Sequence, residues 1–218
     1  MNDTNRHNIS NDSIRHPRTR FRQAAELLAL SMPLKYPADS VIDRYFKAHK
    51  EMGGKDRAFA AETVYGCLRR LRELKAIVAP LIDGQVIDRQ APYIVAAYLL
   101  VAEGWQHRSL SETEVAPEAD VIVKQVRQFD RASLSAADLA NLSDTVYDAL
   151  TPHFSDAEIL DLAKALNQPA PVDLRINTGK THRDSVQQAL LDEGFDAEPT
   201  PFSPWGLRRE TRGPLFNT

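Results

Sequence analysis

A chain of 218 residues, 43% hydrophobic and 26% charged, can bury a proper core as one large domain or as a medium domain plus a small one. Its single cysteine, Cys67, excludes an internal disulfide and cannot by itself build a zinc site. The N-terminal MNDTNRHNIS has no apolar run, and the most apolar segment, APYIVAAYLLVAEGW, is too short to span a membrane and holds Glu103, so a cytoplasmic protein with no membrane partner is expected.

Residues 1–14 are polar and aperiodic, which predicts a mobile tail. From Pro17 the spacing of Phe21, Ala24, Ala25 and Leu28 predicts an amphipathic helix, interrupted by Pro33 and Pro37. A second helix should start at Asp39 or Ser40, either of which can cap it, with Val41, Ile42, Tyr45 and Phe46 inward, and end at Gly53-Gly54. A long helix is then predicted from about Asp56 to Val78, its apolar stripe formed by Ala60, Val64, Cys67, Leu68, Leu71, Leu74 and Val78. Residues 91–103 are apolar nearly all round and predict a central buried helix. After an acidic connection, Pro117 opens a helix to about Phe129. Another should run from about Ser135 to Leu150, carrying Leu139, Leu142, Val146 and Leu150.

After Leu150 the pattern changes. Ser155 and Glu158 have the spacing of a capping box, ahead of Ile159, Leu162, Ala163 and Leu166. VDLRIN then alternates with period two, as a half-buried strand does. Thr181 to Leu191 reads as a helix closed by Gly194, and FDAEP and WGLRRE as two further short strands. The expected fold is therefore mainly α: an all-helical domain over residues 15–150, then a small α+β unit over 151–218. Leu215 and Phe216, apolar and close to the last residue, suggest a polypeptide cut short of something.

Most catalytic chemistry finds no motif. The six histidines, at 7, 16, 49, 107, 153 and 182, show no metal-type spacing, so no metal site is expected. Neither G-x-G-x-x-G nor a phosphate-cradling loop nor a G-x-S-x-G nucleophile is present.

One stretch stands out. The formal net charge is -3, yet residues 1–80 hold 15 Lys and Arg against 9 Asp and Glu, while residues 81–218 hold 12 against 21. GGKDRAFAAETVYGCLRRLREL gathers Lys55, Arg57, Arg69, Arg70 and Arg72. On one continuous helix Tyr65, Arg69 and Arg72 would share a flank, where guanidinium groups pair with phosphates and a ring stacks on an unpaired base. Lys55 and Arg57 would stand at the helix start, where free amides also favour an anion. RHPRTRFR adds Arg15, Arg18, Arg20 and Arg22 from another element. The competing reading is a solvated helix face, with Tyr65 in the core and the arginines paired to Glu62 and Glu73.

These residues also carry a resemblance. ADSVIDRYFKAH followed by KDRAFAAETVYGCLRRLREL resembles the NusB-like helical domain that opens the Sun (RsmB-type) rRNA cytosine 5-methyltransferases. LNQPAPVDLRINTGKTHRDSVQQALLDEGFDAEPTPFSPWGLRRE is similar to the stretch those enzymes carry before their catalytic domain. The resemblance implies an RNA-binding N-terminal part of a SAM-dependent methyltransferase, with ribosomal RNA and a catalytic domain in cis as partners. S-adenosylmethionine would be the cofactor of the parent enzyme, and no cofactor or catalytic residue is expected in this chain. RNA contacts map onto Arg18, Arg20, Arg22, Lys55, Arg57, Tyr65, Arg69 and Arg72, and substrate guidance onto Arg175, Asn177 and Lys180. The bland alternatives are an Arg175 paired with Asp173 or Asp192, and an Asn177 that only shapes a turn. Trp205 is expected as a core anchor or as a surface for the catalytic domain. Where the family often has Pro-x-Trp, this chain has Ser143-Asp144-Thr145. Two other functions would suit the same bundle: a free-standing NusB-type RNA-binding transcription factor, or a helical module whose arginines meet an acidic protein.

Overall fold

The computed structural model describes residues 16–168 and 170–209. They form two compact units, divided at Ala165/Leu166. The tail over 1–14, Arg15, Leu215 and Phe216 lie outside the described residues.

The first unit is helical: α1 (Pro17–Ser31), α2 (Ala38–Ala48), α3 (Gly54–Arg69), α4 (Leu71–Ile82), α5 (Ile87–Ala102), α6 (His107–Leu110), α7 (Ala119–Gln128), α8 (Ala136–Ala140), α9 (Asp144–Leu150) and α10 (Asp156–Leu166). Pro17 sits in the first turn of α1, where its missing N–H costs nothing. As the sequence predicts, Phe21, Ala24, Ala25 and Leu28 are buried, and α5 forms the centre, with Ile94, Val95, Ala96, Ala97 and Leu99 enclosed by α1, α3, α4 and α7. Cys67 belongs to this core, and burial pushes its thiol far above the usual range, so it is a packing residue. A smaller core gathers Ala140, Ile159 and Ala163 under Leu142, Tyr147, Leu150 and Leu160.

Three predicted elements differ from those observed. The α2 helix begins at Ala38, directly after Pro37, whose carbonyl accepts from Ser40 and Val41; Asp39 and Ser40 lie inside the helix. The long basic helix is broken. Arg70, at φ -126°, ends α3 and starts α4. The free amides of the new helix are satisfied from a distance, because Asn141 Oδ1 accepts from the backbone N–H groups of Arg72 (3.1 Å) and Glu73 (3.3 Å). Asn141 itself has φ 55°, and this left-handed residue splits the predicted 135–150 helix into α8 and α9. Leu139 and Val146 consequently stay exposed. The capping box of α10 is formed: Glu158 accepts from the Ser155 N–H at 2.9 Å, and Ser155 Oγ accepts from the Glu158 N–H at 3.4 Å.

The second unit holds β1 (Val172–Arg175), α11 (Arg183–Asp192), β2 (Glu198–Pro199) and β3 (Gly206–Arg209) in a sheet of order β1-β3-β2, both pairings antiparallel. Gly194, at φ 83°, closes α11. Val186 and Leu190 of α11 cover one face of the sheet, over Leu174, Ile176, Ala197 and Leu207. Strand alternation sends Asp173, Arg175 and Arg208 to the opposite face.

Candidate nucleic-acid interface

The basic residues of the helical unit divide into two groups. One group is committed to the protein itself. Arg20 Nε donates to Asp56 Oδ1 at 2.6 Å, locking the first turn of α1 to that of α3. Arg57 donates to the Met52 carbonyl (3.1 Å) and the Phe46 carbonyl (3.4 Å), with its guanidinium over the Phe46 ring, so it clamps the end of α2. Arg72 donates to Asp138 and bridges to Asp144, at 2.7 and 2.8 Å, joining α4 to α8 and α9. Arg70 is paired with Glu73, which also accepts from Arg131. The predicted flank of Tyr65, Arg69 and Arg72 is thus divided by the break at Arg70 and by the ion pairs of Arg72. Tyr65 is half-buried against the core.

The other group is open. Arg18 and Lys55 are exposed, and no ion pair holds either among the described residues. Arg22 is exposed and reaches Glu26 only at 3.7 Å. Arg18 and Arg22 stand at i, i+4 on one face of α1. The Arg20–Asp56 bridge puts the first turns of α1 and α3 side by side, so Arg18 and Lys55 stand at the same end of the bundle. The start of α3 has no side-chain cap, and Asp56 in its first turn supplies the carboxylate that the helix dipole favours there. Arg69, half-buried in the last turn of α3, lies about 21 Å along the helix from Lys55, at 1.5 Å per residue.

In the small unit Arg175 is exposed on the open face of the sheet. Asp173 does not pair with it but takes Arg208 in a bidentate contact, at 2.7 and 2.8 Å. Asn177 shapes the turn after β1: its Oδ1 accepts from the Gly179 N–H and its carbonyl from Lys180 and Thr181. Lys180 is exposed at that turn. Trp205, in the turn before β3, is half-exposed rather than a core anchor.

The NusB family model matches residues 22–142, more than half of the chain. The chain belongs to the NusB family. Past that NusB domain, the model of the Methyltr_RsmF/B-like, ferredoxin-like domain matches residues 145–215. Both parts of the resemblance to the Sun/RsmB-type enzymes are present, in the same order. The "Probable ribosomal RNA small subunit methyltransferase B" of a Synechocystis species is 26% identical over 197 residues, covering 78% of this chain and 43% of the relative. The "Ribosomal RNA small subunit methyltransferase B" of Photorhabdus laumondii is 26% identical over 185 residues, covering 74% and 42%. The chain spans less than half the length of these curated relatives. The crystal structure of PH0851 shares the fold, with a TM-score of 0.57 at 15% identity, over 94% of this chain and 51% of that one.

The Ser143-Asp144-Thr145 departure, just past the NusB match, has a local use. Ser143 caps α9 by accepting from the Val146 N–H, and Asp144 supplies the second carboxylate for Arg72. Sequence reasoning passed over Asn141 and Phe202. The first acts through tertiary contact alone; the second had a signal, an aromatic inside the proline-rich turn PFSPW. Among the described residues the strand-to-helix turn after β1, 176–182, has a single glycine, Gly179, where a Gly-rich cofactor loop has several. Among the described residues no helix is long and apolar enough to cross a membrane.

Proposed function

We propose that this chain is the RNA-docking part of a SAM-dependent rRNA cytosine 5-methyltransferase acting in the cytoplasm, holding structured small-subunit rRNA while a catalytic domain in cis carries out methyl transfer. The observation that carries this reading is the separation of the cations. Arg20, Arg57 and Arg72 build the NusB bundle, whereas Arg18 and Lys55 have no ion pair among the described residues and Arg22 has only the long contact with Glu26. All three are exposed in the first two turns of α1 and α3. Exposed cations of this kind meet phosphates, fix register and read shape rather than sequence. The names of the two relatives supply the class of RNA.

Binding of this chain to small-subunit rRNA, measured from low to moderate salt, tests the reading. Log affinity should fall linearly with log salt, because phosphate contacts release counterions. A salt-independent association, or none at low salt, would favour the protein-interaction module.

A further inference from the structure

We infer that the open face of the small sheet seats one unpaired nucleotide of the bound RNA, its base on Phe202 and its phosphate on Arg175. The inference rests on the RNA-docking reading and adds a second site with its own chemistry. Above the sheet lies a groove of about 310 Å³ lined by Asp173, Arg175, Thr200, Phe202, Ser203 and Arg208, among others, with Gly206 in its floor. Gly206 pairs with Arg175 across β1 and β3, and the Thr200 side chain covers it. A methyl group there would collide with the Thr200 hydroxyl.

The turn that forms the groove's rim is fixed. Thr200 N–H donates to the Gly206 carbonyl (3.1 Å), Gly206 N–H to the Ser203 carbonyl (3.3 Å) and Ile176 N–H to the Trp205 carbonyl (2.9 Å). Thr200 Oγ1 also donates to the Ser203 carbonyl, and Pro201 and Pro204 restrict the backbone further. Phe202 on this framework is 99% exposed, and Trp205, three residues further along the same turn, is 49% exposed. The turn backbone is fixed, so stacking has only the phenyl ring's own rotamer to order.

Charge decides the occupant. Asp173 pairs with Arg208, and Glu198 stands in register with Arg208 on its other side, so both carboxylates of this face flank Arg208. Arg175, one row along the strands, is the lining cation with no ion pair among the described residues. Lys180 adds a second cation at the turn after the same strand. A ring, a free guanidinium and nearby hydroxyls match the base and phosphate of a nucleotide. The groove's lining offers an apolar partner only Phe202, Pro201 and Leu174.

Trp205 provides the test, because the chain's other tryptophan, Trp105, is buried in the helical core. The full chain is titrated with an oligocytidylate hexamer while tryptophan emission is followed, and its binding to small-subunit rRNA is measured in parallel. The hexamer should quench emission saturably, and the quench should vanish in Trp205→Phe. Phe202→Ala should weaken hexamer binding about fivefold or more with its salt dependence unchanged, stacking being uncharged. Arg175→Gln should weaken it and lower the salt slope by about 0.7, one single-strand phosphate contact. Phe202 packs on nothing, so its variant reports binding and not folding. If rRNA binds but the hexamer leaves Trp205 unquenched and both variants behave as wild type, the nucleotide seat is overturned while the docking reading stands. If neither RNA binds, both fall. Dimerisation relieved by Phe202→Ala would assign the ring to a second copy and would also overturn the seat.

Discussion

Arg72 donates from Nε to Asp138 Oδ1 at 2.7 Å, across 66 residues of chain, and the contact ties α4 to α8. The same guanidinium reaches Asp144, so one arginine that resembles an RNA ligand in sequence joins three helices. Arg72→Ala should destabilise the helical unit by about 1–2 kcal/mol, the range for losing charge-assisted hydrogen bonds at a part-exposed site. Arg72→Lys should recover only part of this, because an ammonium cannot fork between two carboxylates. Denaturant unfolding of the three proteins checks both statements.

The bridge also has a pH signature. The Ser135 hydroxyl, followed by Arg72, holds the Asp138 carboxyl below the usual carboxylate range. A depressed folded-state value means that the stabilisation is fully present above the unfolded value of about 3.9 and is lost as pH falls through the folded one. Stability of the wild type should therefore drop more steeply below about pH 4 than that of Ser135→Ala or Arg72→Ala. Parallel acid limbs in thermal unfolding would contradict the assignment.

Asn141 combines two features that substitution can separate: a left-handed backbone and a side chain that caps α4. Asn141→Gly keeps the backbone at ease and removes the cap, at a cost of about 1 kcal/mol. Asn141→Ala removes the cap and strains the backbone, adding roughly 1 kcal/mol more. Equal losses for the two variants in equilibrium unfolding would show that the cap alone matters.

Gly66 lies where α3 backs onto α5, and a methyl group there would run into the Tyr98 phenol. Gly66→Ala should cost about 1–3 kcal/mol through overpacking, despite alanine's better helix propensity. Combining it with Tyr98→Ala should cost less than the two single changes added together. Simple additivity in a double-mutant cycle would mean that the two residues do not meet.

Much of this architecture was legible because its causes are local. Pro17, the Ser155/Glu158 box, the unbroken apolar character of α5 and the period-two VDLRIN segment each act within a few residues. What escaped was set by distant partners. The α3–α4 break depends on Asn141, and periodicity alone carried the helix through Arg70. The basic run looked like one surface because sequence shows which residues are cationic but not which carboxylates they meet. Asp56 lies 36 positions from Arg20, and Asp138 lies 66 from Arg72. Trp205 stood between core and surface for a related reason: an aromatic before a strand has no assigned side until the turn that carries it is known.

The central claim is that the open cations, and not the bridged ones, carry RNA docking. The most direct measurement is the salt dependence of small-subunit rRNA binding for wild type beside an Arg18→Gln, Arg22→Gln, Lys55→Gln triple variant, with unfolding curves for both. The account predicts unchanged stability and a log–log slope reduced by about two to three, near one for each phosphate left without its cation. A folded triple variant with the wild-type slope would contradict it.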